Sequence, residues 1–393
     1  MSTASLSSVL SDLYEQPGPF VTIYLDTESA VEDAATRLET RWKDVVRDLR
    51  NQGVDDATIE ALEGARGDHS LGGTRVLVAS QGRVHLARSL PETTDLDVVR
   101  IGPLPYLLPL VDWIQTRVPH VVVLTDRHGA DVLAYTEGAN PVEATTVDTK
   151  RFPTHKTGTG AWSAQHFQLK VEENWKSSAK DAAATVERIA TDVDAQVIVI
   201  SGDEHAVDLL REHLPQPLQA LVHKATGGRS EDGSDEHLAE QVLEAIAARL
   251  RDQVADALAD FAKYRDRATE IAESHPATDG TEYALNAANG VKAVLAALQK
   301  AQVGTLLLAS DLDETQTVSY GPAPTMLAAH ASELEQMGVS DAQEGPLVDV
   351  LLRGAFGTGA EVLMVPAGTP DSPDDGVGAL LRYSDSAAGP AGA

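Results

Sequence analysis

The sequence predicts an α/β protein of three domains, and three observations carry that prediction. Its 393 residues are long enough for two or three domains. Strand-like apolar runs at Phe20–Leu25, His120–Thr125, Val197–Ile200 and Thr305–Ala309 alternate with stretches whose apolar residues recur at helical spacing. Two breaks in composition, near Pro119 and after His275-Pro276, divide the chain into blocks 1–118, 119–274 and 275–393.

In the first block the β-branched run FVTIYL (20–25) precedes a helix with Leu38, Trp42, Val45 and Leu49 on one stripe. Arg75–Leu90 reads as a hairpin turning at Ser80-Gln81-Gly82, and a helix is expected over Leu104–Val118 after the Pro103/Pro105 punctuation. The second block opens with strands at His120–Thr125 and Ala130–Tyr135 around a turn at 126–129. Phe167, Val171, Trp175, Ala182, Val186, Ile189 and Val193 then recur at spacings of three, four or seven, the pattern of one long amphipathic helix. The run VIVI (197–200) is a buried strand that ends at Ser201-Gly202, and a short helix follows through Leu214. A polar loop at 226–235 leads into a helix over about 236–273. In the third block, helices at Ala288–Gln299 and Pro346–Arg353 feed strands at Thr305–Ala309 and Glu361–Val365; a last apolar run spans Val377–Tyr383, and a small-residue tail is expected to be disordered.

Composition excludes several classes. With no cysteine there is no disulfide, thiolate metal site or cysteine nucleophile. No run of 18 apolar residues suits a membrane span, and the start, MSTASLSSVLSDLYEQ, lacks the basic and apolar regions of a signal peptide. A cytoplasmic monomer without cofactor or metal is the expectation. The net charge of −29 opposes broad, nonspecific nucleic-acid binding, because an acidic surface repels phosphates.

Most catalytic patterns dissolve on inspection. Lys156-Thr157-Gly158 with Ser177-x-x-Lys180 resembles the serine β-lactamase pair, but the order is reversed and Ser-Asp-Asn is missing. Asp126, His128 and Asp131 could converge on a cation, yet Asp and Gly are expected in a hairpin turn for backbone reasons. Asp311, Asp313 and Glu314 follow a strand without a phosphate-cradling Gly-Lys loop, and Glu204-His205 is a single adjacent acid/base pair. What stands out is local charge. Between 150 and 180, six Lys/Arg face two Glu, whereas 275–393 holds four basic and fifteen acidic residues. A cationic, glycine-bearing stretch with Trp162 suits phosphate contact and base stacking; a solvated loop is the plainer reading. The acidic third block suits a basic protein face instead.

At this stretch GTGAWSAQHF (158–167) resembles the middle-domain loop of archaeal and eukaryotic class-one peptide release factors, where Gly-Gly-Gln precedes Ser-Ala-x-Arg-Phe and a long helix. Ser163, Ala164, Phe167 and Gly160 match; Ala161 replaces the second glycine, Trp162 the glutamine and His166 the arginine. Residues 281–309 and 359–383 look like the C-terminal domain that release factors share with Pelota, while the first block lacks the codon-reading Asn-Ile-Lys-Ser. The resemblance implies a three-domain release-factor-like architecture with α/β middle and C-terminal domains. The chain looks like the bacterial release-factor relatives of the Balon type, ribosome hibernation factors. The resemblance also implies the ribosomal A site as the binding place, with the first block at the decoding centre, the loop near peptidyl-transferase-centre ribosomal RNA, and elongation factor Tu as a partner of the third block. RNA contact would fall to Lys150, Arg151, His155, Lys156, Gly158, Gly160, Trp162, Gln165, His166, Lys170 and Lys176. With a Cβ at Ala161 and an indole at Trp162, the hydrolytic tip is replaced, so no catalytic residue and no enzyme activity is expected. Two alternatives remain: a peptidyl-tRNA hydrolase or rescue factor acting through Gln165, and a stress-related α/β binding protein that inherits the fold.

Overall fold

The computed structural model describes residues 3–27, 34–67, 73–90, 98–126, 129–136, 141–148, 179–226, 235–274 and 286–383. The chain divides into two compact units, 116–253 and the combination of 3–115 with 254–383.

The segment before residue 116 contains α1 (Thr3–Tyr14), β1 (Phe20–Asp26), α2 (Ala34–Asn51), α3 (Asp56–Ala65), β2 (Thr74–Ser80), β3 (Arg83–Leu90), β4 (Val98–Gly102) and α4 (Leu108–Gln115). Its sheet is antiparallel, in the order β3-β2-β1-β4. Strand β1 is covered on both faces. Val21, Ile23 and Leu25 pack with Trp42 and Leu49 of α2 and Leu62 of α3, while Phe20 and Tyr24 join a second cluster with Tyr106, Leu107 and Leu110. The hairpin turns through Gln81 (φ 48°) and Gly82 (φ 74°), two left-handed residues in succession, as a two-residue hairpin loop requires. The expected helix over 104–118 is shorter, Leu108–Gln115. Pro105 holds Leu104 out of the helical region, and the Tyr106 amide donates instead to Thr22 Oγ1 at 3.2 Å.

Residues 116–253 hold β5 (His120–Thr125), β6 (Gly129–Tyr135), β7 (Glu143–Asp148), a helix α5 described over 179–192, β8 (Val197–Gly202), α6 (Glu204–His213), α7 (Gln216–Gln219) and β9 (Val222–Ala225). The sheet order is β7-β6-β5-β8-β9; β5, β8 and β9 are parallel, and β6 is antiparallel to both its neighbours. On one face Val121, Val123, Ile198 and Ile200 meet Ala182, Val186 and Ile189 of α5 and Val207 and Leu210 of α6. On the other, Val197 and Val199 meet Ala245 and its apolar neighbours Leu238 and Val242. Burial on both faces explains why this strand reads as the unbroken run VIVI. Of the long helix expected from residue 167, Phe167, Val171 and Trp175 lie outside the described residues.

Helix α8 (Asp235–Ser274) covers 40 residues, close to the expected span. Its later half belongs with the unit made of 3–115 and 254–383, where Val254, Leu258 and Phe261 pack on Leu307, Leu363 and Val365. There β10 (Ala287–Asn289), α9 (Val291–Gln299), β11 (Val303–Ala309), β12 (Thr317–Tyr320), β13 (Leu327–Ala328), α10 (Ala331–Gln336), β14 (Gln343–Pro346), α11 (Leu347–Gly357), β15 (Glu361–Val365) and β16 (Val377–Leu381) follow. They form one sheet in the order β10-β16-β11-β15 and a small one, β13-β12-β14. The expected helix at 288–299 begins only at Val291, because Asn289 pairs with Gly378 and Gly290 takes φ 81°. Helix α11 runs four residues beyond the expected Arg353. Apolar residues of 10–113 and of 288–379 share one continuous core. Among the described residues no helix is long and apolar enough to cross a membrane.

Candidate functional site

Residues 150–178 of the cationic stretch, and with them all eleven residues expected to touch RNA, Lys150 through Lys176, lie outside the described residues, as do His128 and Ser177. What the structure positions is the frame at both ends of that stretch. Strand β7 closes at Asp148, which pairs across the sheet with Gly129, the first residue of β6. Gly129 in turn binds Asp126 and lies beside the end of β5. Asp148 therefore sits at the carboxyl edge of the parallel strands.

Helix α5 returns to the same edge. Beyond its last turn, the Gln196 amide donates to Pro119 O at 2.8 Å, which fixes the helix C-terminus at the amino edge, level with the start of β5. Its 14 described residues extend about 21 Å, comparable to the roughly 20 Å of a six-residue strand, so residue 179 stands at the carboxyl edge. The Arg188 guanidinium pairs with Glu143 at 2.7 Å, tying α5 to the edge strand that delivers the stretch. The Glu143 carboxyl is held below its usual range by that hydrogen bond. In parallel sheets this rim is where ligands are met.

The rest of the rim is tightly specified. Gly202 has φ 144°, and a Cβ there would lie 1.7 Å from Thr125 O, so only glycine lets β8 leave the sheet at this point. The Asp203 amide then donates to Thr125 O at 3.3 Å, and the Asp203 carboxylate caps α6 by accepting from Ala206 N. Glu204 and His205 occupy the first turn of that helix. An adjacent acid/base pair suits proton transfer; in the structure this pair opens a capped helix, where a carboxylate complements the helix dipole. Ser201 is fully buried, and its hydroxyl has no hydrogen-bond partner among the described residues.

Of the other carboxylates singled out from sequence, Asp126, Asp131, Asp313 and Glu314 do structural work. Asp126 Oδ1 accepts the Gly129 amide at 3.0 Å, and Asp131 Oδ1 accepts Thr146 Oγ1 at 2.8 Å. Asp313 accepts both the amide and the hydroxyl of Thr315, which lowers its pKa. Glu314 binds Arg100 at 2.6 Å and Tyr106 Oη at 3.1 Å. Among the described residues no group of three or more His, Asp or Glu is placed to hold a metal ion. A Ser80–His85 hydrogen bond of 2.9 Å has the geometry of a nucleophile and base, but Ser80 is buried and also bonded to Pro17 O, which makes it a structural tie.

Residues 119–267 match the family model "Bacterial archaeo-eukaryotic release factor family 2". Over 372 residues, 93% of this chain and 94% of the relative, the sequence is 30% identical to the uncharacterized protein Rv2629 of Mycobacterium tuberculosis. Solved structures with low overall superposition include the archaeal translation termination factor aRF1, at 17% identity and a TM-score of 0.23 over 98% of this chain and 99% of that one. Archaeoglobus fulgidus Pelota is 14% identical, with a TM-score of 0.31 over 96% and 92% of the two chains. Dom34 of S. cerevisiae, described as a translation termination-like factor involved in RNA quality control, is 11% identical, with a TM-score of 0.37 over 81% and 83%.

Proposed function

We propose, for a chain that belongs to bacterial archaeo-eukaryotic release factor family 2, a ribosome-binding role without peptide release. In this reading the chain occupies the A site of idle ribosomes as a hibernation factor. The observation that carries it is the composition of the stretch between β7 and α5, within the residues that match the family. It keeps Ser163, Ala164 and Phe167 of the release-factor pattern and concentrates five Lys/Arg against two Glu, yet has Ala161 and Trp162 where the hydrolytic tip has glycine and glutamine.

The charge reconciles this reading with an acidic chain. Phosphate contact needs a local cluster of cations, and Lys150, Arg151, Lys156, Lys170 and Lys176 supply one on a body whose net charge is −29. The sheet edge that carries both ends of the stretch is a rigid platform for it, since the flanking helix packs into the core through Ala182, Val186 and Ile189. The third block, with four basic and fifteen acidic residues, faces protein in this scheme; elongation factor Tu is the partner that the resemblance implies.

Replacing those five Lys/Arg with Glu abolishes cosedimentation with ribosomes at physiological salt; unchanged pelleting removes the RNA-contact assignment. Hydrolysis through Gln165 is separated by Gln165→Ala, which leaves ribosome binding intact in this reading and eliminates peptide release in the alternative.

A further inference from the structure

We propose that Asp349 is a proton-keyed latch: held neutral, it lets residues 3–115 pack on 254–383, and its ionisation parts them. The seam between these segments is extensive. Tyr14 of α1 stacks on Phe356 of α11 with ring centroids 6.4 Å apart, Ser11 Oγ donates to Phe356 O at 3.4 Å, and Gln115 Nε2 donates to Met364 O at 3.0 Å. Asp349, on α11, is only 4% exposed within that seam, and among the described residues its Oδ1 has no hydrogen-bond partner. The hydroxyl of Tyr14 is likewise buried and without a partner among the described residues.

The cations that could neutralise Asp349 are committed elsewhere. Arg353, one turn further along α11, donates to the carbonyls of Pro322 and Ala323 and lies over the Tyr320 ring at 5.2 Å. Arg100, on β4, is paired with Glu314 and lies 3.7 Å from the Tyr106 ring centroid. Among the described residues, the groups within electrostatic reach of Asp349 are Tyr14 from α1, Tyr24 from β1, Tyr106 from the approach to α4, Arg100 from β4 and Glu314 from the turn before β12. Three are tyrosines whose own pKa values are raised by burial, so they stay neutral and supply no countercharge. Burial pushes the Asp349 carboxyl up to about 8, with Arg100 opposing and Glu314 reinforcing that rise. The packed seam thus binds a proton that an opened, hydrated Asp349 releases, and rising pH favours opening.

Hydrogen exchange of the full chain, corrected for intrinsic amide rates, tests this between pH 6 and 9. In the wild type, exchange through opening of α1 and α11 accelerates about tenfold per pH unit up to roughly 7.5 and levels off above 8. Strands β5 and β8 serve as the internal reference and do not follow. Asp349→Asn, neutral and of the same shape, flattens the profile. A flat wild-type profile, or the same slope in Asp349→Asn, overturns the proposal. Should that variant fail to fold, infrared titration of the wild type decides: a protonated-carboxyl stretch at pH 6 that disappears above pH 9 supports the latch, and its absence at pH 6 overturns it.

Discussion

Two polar regions of this molecule handle carboxylates in opposite ways. At the carboxyl edge of the β5–β8 sheet, three acids are met by local donors: Asp126 by the Gly129 amide, Asp131 by Thr146 and Asp203 by the Ala206 amide. At the seam between 3–115 and 254–383, Asp349 is buried with an oxygen that has no partner among the described residues. The first arrangement is fixed by short-range backbone chemistry and gives a rigid frame. The second depends on segments distant in sequence and ties packing to a proton. A frame for a loop needs the former; a seam that can open uses the latter.

The sharpest way to break this contrast is at the edge. Gly202→Ala forces a Cβ onto Thr125 O and destabilises 116–253 by about 3 kcal/mol or more, read as a lower denaturant midpoint; a midpoint unchanged from wild type shows that the edge tolerates slack. Next comes the seam's pH dependence. Because the Asp349 pKa is raised, its contribution to stability is fully present below the ordinary carboxylate pKa and is lost as pH rises through about 8. Asp55, capping α3, has the opposite sign: hydrogen bonds from Thr58 lower its pKa, so its contribution is present above the ordinary range and lost as pH falls below it. Urea midpoints of wild type and Asp349→Asn therefore diverge least at acidic pH and most above pH 8. Removing the α6 cap with Asp203→Ala costs about 1 kcal/mol, measurable by the same titration. The smallest effect is Glu314→Gln, under about 1 kcal/mol, because the Arg100–Glu314 pair is partly solvated at 41% and 32% exposure. A larger loss would make that pair, rather than Asp349, the main fastener of the seam.

What the sequence disclosed follows the same division. Strands β1, β5, β8 and β11 are legible because burial on both faces leaves an unbroken apolar run, and α2 and α8 because their core stripe repeats at helical spacing. The hairpin at Gln81-Gly82 announces itself through turn chemistry. Strands β12 to β14 are two to four residues long, too short to show alternation in the sequence. The start of α9 was misplaced because apolar Ala287 and Ala288 join the helical pattern, although Gly290 separates them from it. At the site, the charge and tip of the 150–180 stretch are visible in the sequence alone. The glycine that shapes the rim could have been suspected from its position after VIVI. Nothing local marks Asp349, since Tyr14, Arg100 and Glu314 reach it from remote parts of the chain.

Binding without cleavage is tested most directly by mixing the full chain with ribosomes that hold peptidyl-tRNA and measuring pelleting and peptide release in the same sample. The expected result is cosedimentation at physiological salt with no release above the spontaneous rate. Released peptide that vanishes with Gln165→Ala, or a chain left wholly in the supernatant, contradicts it.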